Sequence, residues 1–251
     1  RIVGIAGLIS AVLGGWFLGS PGAFTVYGAV LWLPVWLLAL VLRERVDLAL
    51  ALEVGVVLAG LLVVGVFLVF DNPPDLWSAS LERMLKPLLD NPPPGFDVEQ
   101  IRQRMDLLAH FMTGAVAAGS LMGVTAALFL ARWWQAQMFN PGGFAQEYLA
   151  LRGHRALACG TLALLAAALL TSGSLAEAVA NLLVVGLTYY LVLGVVVLHS
   201  VCTRMAARRF LLVMLYGVLL VIPHALVPVA LLGLADVWLD LRRWGRAAER
   251  G

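Results

Sequence analysis

The sequence predicts an all-α polytopic transmembrane bundle, and three observations carry that reading. Apolar residues make up 62% of the chain and charged residues 13%, with a mean hydropathy of +0.93, far from the roughly half-apolar, quarter-charged make-up of soluble domains. The apolar residues fall in runs long enough to be membrane helices, separated by turn-forming and arginine-containing breaks. Runs such as 56–70 do not alternate apolar with polar, which removes a membrane β-barrel. A chain of 251 residues holds about eight spans of roughly 20 residues each, so a single transmembrane domain over 1–251 is expected.

Taken in order, the expected spans lie near 2–18, 22–42, 47–70, 106–131, 155–171, 176–200, 208–222 and 224–239. The first reads as a span rather than a signal sequence, because Gly19-Ser20-Pro21 leads straight into another apolar run. Arginines fix the orientation. Arg43 and Arg45, then Arg132, Arg152 and Arg155, then Arg204, Arg208 and Arg209 occupy alternate loops, which should be cytoplasmic. The intervening loops, Gly19–Pro21, 71–103 and 171–174, should be external. Arg242, Arg243, Arg246 and Arg250 also ask for the cytoplasm. Pro223 and Pro228 interrupt the last apolar run, where prolines favour a turn or kink. Splitting that run gives eight spans with both termini inside. One long kinked helix, giving seven, is the alternative.

The one substantial extramembrane piece, 71–105, is bracketed by proline clusters. Trp77, Leu81, Met84, Leu85 and Leu88 recur in it at helical spacing, so it should form an amphipathic helix on the outer membrane surface. It reads as a structural flap, with a lid over an outward-facing cavity as the functional alternative. Asp97 and Gln100 have the spacing of a capping box opening the fourth span.

Several classes of function find no support. The formal charge of +2 offers no basic face for nucleic acid. Cys159 and Cys202 lie in apolar stretches without a disulfide or zinc spacing. No HExxH pair, GxSxG elbow, Walker loop or dinucleotide fingerprint occurs, so no enzyme, metal or cofactor is expected. His199 and Cys202 at i, i+3 lack an obvious third metal ligand. His110, His154 and His224 read as isolated interfacial residues.

Ionisable and polar side chains inside spans are costly and mark candidate sites. Glu53 lies about one and a half turns inside the third span, deeper than Asp47. Glu177 and Asn181 share a helix face at i, i+4, and with Thr188 and Tyr189 could line one polar stripe, although helix-to-helix hydrogen bonding explains them equally well. Gly119-Ser120-Leu121-Met122-Gly123 allows close backbone approach and should pack internally. Gly7, Ala11 and Gly15 form a similar small-residue ridge on the first span.

The connection after the fourth span reads Arg132-Trp133-Trp134-Gln135, then Asn140-Pro141-Gly142-Gly143-Phe144, then Glu147 and Arg152. Tryptophans anchor a span at the interface, and Asn-Pro-Gly-Gly forces a turn. Backbone donors of Gly142 and Gly143 could hold an anion, although a plain interfacial turn explains them. This stretch and the closing 233–243 resemble the YybS-like family of predicted bacterial integral membrane proteins. The resemblance implies a multi-pass protein of the bacterial inner membrane, remotely similar to the substrate-capturing subunits of energy-coupling-factor transporters. On that resemblance Gly7, Ala11 and Gly15 would dock a membrane protein partner. The expected function is the binding or translocation of a small solute, within the lipid bilayer and as part of a larger complex. A non-transporting scaffold or assembly factor, acting through helix faces and the segment 140–152, is the competing expectation.

Overall fold

The computed structural model describes residues 13, 33–45, 47–93, 95 and 97–242. The expected first span, its Gly7, Ala11 and Gly15 ridge and both chain ends lie outside the described residues. Among the described residues every regular element is helical. They are α1 (Leu33–Arg45), α2 (Leu48–Val69), α3 (Pro73–Asp90), α4 (Val98–Phe139), α5 (Gly143–Ala150), α6 (Arg155–Leu170), α7 (Gly173–Cys202), α8 (Arg208–Val221) and α9 (Leu226–Leu239), with a 3-10 turn at Pro223–Ala225 before α9.

Local chemistry sets the boundaries. The Asp47 carboxylate caps α2 by accepting from Leu50 N at 3.0 Å. Asp97 caps α4 by accepting from the amides of Glu99 and Gln100, so the expected helix start holds. In each case a side-chain oxygen satisfies first-turn donors that have no helical partner. The helix α3 opens on Pro73 and Pro74, where the missing N–H groups cost nothing. It packs along the first turns of α4, with the Trp77 indole donating to Thr113 Oγ1 at 2.8 Å.

The helix α7 is the hub, packing against α4, α6, α2, α8 and α9. Leu52, Val56, Leu121, Val185, Tyr190, Leu193, Val196 and Leu234 form the buried core around it. Residues 111–131 of α4 and 178–198 of α7 carry no charged side chain. At 1.5 Å per residue each stretch is about 31 Å long, the thickness of a bilayer's hydrocarbon core. His110 and Glu177 close the slab at one end, while Arg132 and His199 close it at the other. The arginine-bearing connections α1–α2, α4–α6 and α7–α8 gather at this second end, and α3 and the α6–α7 turn lie at the first. Among the described residues the arginine-bearing connections therefore share one end, while the 19–21 loop and the arginines after Arg242 lie outside the described residues.

The expected eight complete spans are not supported. Among the described residues three helices, α2, α4 and α7, are individually long and apolar enough to cross, and up to five crossings result if the bent pairs α5–α6 and α8–α9 each count once. The bend between α8 and α9 is 110°. Each arm has 14 residues, about 21 Å of helix, short of the hydrocarbon core. Moreover, Arg204, before α8, donates to the Arg242 carbonyl, after α9, at 2.9 Å. The pair thus enters and leaves at the arginine-rich end, as a re-entrant hairpin does. The prolines mark its turn, and the tail returns without a full second crossing.

The glycine pattern of α4 has no partner among the described residues. Cβ atoms at Gly119 or Gly123 would meet nothing within 4 Å among the described residues, because the inward face of α4 carries Thr113, Ala117, Leu121 and Val124. A GxxxG spacing says which residues share a face, not which face turns inward.

Candidate functional site

Two polar clusters and one cleft organise the described part of the molecule. At the α3 end, His110 Nδ1 lies 3.0 Å from Glu177 Oε1. Asn181, fully buried, donates to the carbonyls of His110 and Glu177, and its Oδ1 accepts from Gly114 N at 2.5 Å. One amide thus satisfies backbone groups of two helices where water is excluded, and an amide left unpaired there would be costly. A Cβ on Gly114 would sit 2.6 Å from the Asn181 carbonyl, so glycine is what allows α4 this close. His110, expected to be isolated, belongs to this cluster.

Further toward the arginine-rich end, level with the middle of α7, Glu53 is 12% exposed. Its Oε1 accepts from His154 N at 2.7 Å and from Tyr189 OH at 3.0 Å, and its Oε2 lies 2.7 Å from His154 Nδ1. His154 is the N-cap residue of α6, so Glu53 supplies the negative charge that a helix start favours. The sequence reading placed Tyr189 on one stripe with Glu177 and Asn181. Instead these residues serve two separate clusters, one at the start of α7 and one at its middle, and Thr188 Oγ1 bonds the Val184 carbonyl of its own helix.

The connector from Arg132 to Arg152 is built as a staple. Gly142, with φ of 86° and ψ of −9°, and the 2.9 Å bond from Gly143 N to Asn140 O are the geometry of a type II turn, which wants Pro at its second and Gly at its third position. The turn folds α5 back so that Glu147 meets the Arg132 guanidinium through both carboxylate oxygens. Gln135 accepts from the same guanidinium at 2.7 Å. Trp133 and Trp134 remain exposed, as an interfacial pair would be.

The second motif stretch closes over the first. Arg242, 3% exposed, donates to Asp236 Oδ2, to the Leu149 carbonyl at 2.7 Å and to the Leu151 carbonyl at 2.5 Å. Asp236 also accepts from Leu241 N, across the left-handed turn at Asp240 (φ 45°). Arg152 pairs with Asp240 at 2.9 Å. Burial draws the Arg242 guanidinium below its ordinary range, and the Asp236 charge draws it back. Residues 96–237, which include the staple and Asp236, match a family described as "Predicted membrane protein (DUF2232)". The chain belongs to this family. It is accordingly a multi-pass membrane protein in contact with the lipid bilayer. No curated protein and no solved structure matches the chain. The family's span begins just before α4, so α1 to α3 lie outside it. What the sequence reading missed is the partnership of Asp236 with Arg242, although both stand within the closing stretch it singled out.

Between α4, α5, α7 and the hairpin runs a lateral cleft. Its inner part, about 280 Å³, is walled by Met122, Thr125, Phe129, Val195, Leu219 and Leu226. Its wider mouth, about 540 Å³, shares Phe129, Tyr148 and Tyr216 with the inner part and adds Leu130, Trp133 and His199. Along α4, from Met122 to Trp133, it spans about 16 Å. Phe129 meets Tyr148 edge to face at a 5.6 Å centroid distance. His199 Nδ1 sits 2.9 Å from Tyr216 OH, leaving the walls almost wholly apolar.

Proposed function

We propose that this protein is a non-enzymatic binding subunit that takes a small, chain-bearing molecule laterally from the bilayer into this cleft, in the service of transport. The observation that carries the reading is the cleft's position: it opens sideways at hydrocarbon depth and its walls are apolar, as suits an aliphatic or isoprenoid chain. The polar residues first considered for binding a small solute are engaged within the protein. Glu53 is held by His154 and Tyr189, and Asn181 by both helices it touches. The likeness to YybS-like proteins, and through them to substrate-capturing transporter subunits, supports capture of a small molecule by a bacterial inner-membrane protein. The test is photolabelling of the full chain in nanodiscs with a diazirine-bearing fatty acid. Label should concentrate in 122–133 and 191–199. Val195→Trp, which fills the inner cleft, should reduce it to background, whereas Val195→Ala should retain it. Labelling spread evenly over all lipid-facing helices would sink the proposal.

The scaffold reading draws on a different observation, the apolar knob of Trp134, Met138 and Phe139 exposed on α4 beyond Arg132. A partner docked there would leave cleft labelling unchanged.

We also propose that the arginine-rich end faces the cytoplasm, by the excess of arginine in its short loops. Met84→Cys and Met205→Cys, both at exposed positions, in a background without Cys159 and Cys202, should react with an impermeant maleimide from opposite sides. Reaction from the same side would reject the topology.

A further inference from the structure

We infer that the molecule in the cleft carries a head group of net negative charge, a phosphate or a phosphodiester with no cationic substituent, and that Arg208 and Arg209 hold it. This inference rests on the cleft reading and adds the chemistry of its mouth.

On α8, Arg208, Leu212, Tyr216 and Leu219 recur at three- to four-residue spacing, the spacing of one helix face. Tyr216 and Leu219 line the cleft. The same face therefore brings Arg208 and Arg209 seven to eight residues beyond Tyr216, about 10–12 Å further toward the arginine-rich surface. That is where a head group belongs when its chain lies between Phe129 and Leu219. Both arginines are exposed.

Charge at this end favours an anion. Most of its carboxylates are engaged: Glu147 by Arg132, Asp236 by Arg242, Asp240 by Arg152, Glu53 by His154 and Asp47 by the Leu50 amide, while Glu44 stands between Arg43 and Arg45 in sequence. Arg204 is turned to the Arg242 carbonyl and Ser200. Arg208 and Arg209 make no side-chain hydrogen bond or ion pair to any described residue. Two guanidiniums at the interface, beside an apolar cleft, complement the two halves of an anionic amphipath. A zwitterionic lipid would fit the walls equally well but bring a trimethylammonium group to the arginines.

The test uses the full chain in nanodiscs with trace phosphatidylglycerol or phosphatidylcholine, each carrying the same diazirine acyl chain. Cleft labelling should favour phosphatidylglycerol, and Arg208→Gln/Arg209→Gln should lower it about thirtyfold, at about 1 kcal/mol for each arginine, down to the phosphatidylcholine level. Millimolar inorganic phosphate should leave the labelling unchanged. Equal labelling by the two lipids, or a double variant indistinguishable from the parent, would overturn the head-group assignment while leaving the cleft intact. Competition by inorganic phosphate would also overturn it, by showing a site for the free anion. Absence of cleft labelling by both lipids would instead reject the cleft reading itself.

Discussion

Replacing Arg242 with alanine is expected to destabilise the protein by about 3–5 kcal/mol, the cost of removing one partner from a buried ion pair. The guanidinium links three pieces of chain: Asp236 on α9, the end of α5 at Leu149, and Leu151 beyond it. Its loss strands a carboxylate that is 5% exposed and removes the donors to two carbonyls, each of which resists burial without a partner. The released α5–α6 connection should become sensitive to protease near Leu151, which is 2% exposed in the intact protein. Thermal unfolding in nanodiscs would read the first effect and limited proteolysis the second. Asp236→Leu combined with Arg242→Met should recover much of the stability, because an apolar pair of similar volume carries no desolvation cost. It should not restore the carbonyl donors, so the double variant stays below the parent. If Arg242→Ala melts with the parent, the clamp contributes nothing and the two motif stretches touch without consequence.

What could be read from the sequence divides along physical lines. Hydropathy located the helices well. The expected 47–70, 155–171 and 176–200 appear as Leu48–Val69, Arg155–Leu170 and Gly173–Cys202, because an apolar run bounded by turn residues has few other solutions in lipid. The amphipathic helix in 71–105 and the start of α4 at its Asp97 cap were legible for similar local reasons. Depth was harder. The segment 208–239 is apolar enough for two helices, but only its end-to-end geometry shows that they return to the same side. Pairing was hardest. Glu53 and His154 are far apart in sequence, and nothing local predicts that one caps the helix opened by the other. Tyr189, Glu177 and Asn181 share a helix, which suggested one stripe, yet α7 is long enough to serve two separate clusters. Asp236 and Arg242 sat within a recognised stretch, but the left-handed residue Asp240 that turns Arg242 back had no distinct signal, since only a few per cent of non-glycine residues adopt that conformation even though aspartate is among those that tolerate it.

Gly233→Ala should detach the re-entrant hairpin. A Cβ there would lie 2.0 Å from the Tyr190 carbonyl oxygen and 2.5 Å from Gly194 N, and one on Gly194 would lie 1.9 Å from the Val229 carbonyl. These obstacles are backbone atoms, so no rotamer change relieves them and α9 must move away from α7. Separating the helices forfeits dispersion contacts along their interface, the main attraction between helices in lipid. The loss should exceed the usual cost of overpacking, about 1–3 kcal/mol. Because Leu226 belongs to the hairpin and walls the inner cleft, capture of a photoreactive chain should fall together with the melting temperature. Gly217→Ala supplies the control. It lies on α8, where a Cβ meets nothing within 4 Å among the described residues, and alanine should be neutral or gain up to about 1 kcal/mol of helix propensity. A Gly233→Ala protein that melts with the Gly217→Ala control and still captures the chain would show that α9 does not need its close seat on α7. The cleft's hairpin wall would then have to be held from α8 alone, a helix with no buried residue among its 14.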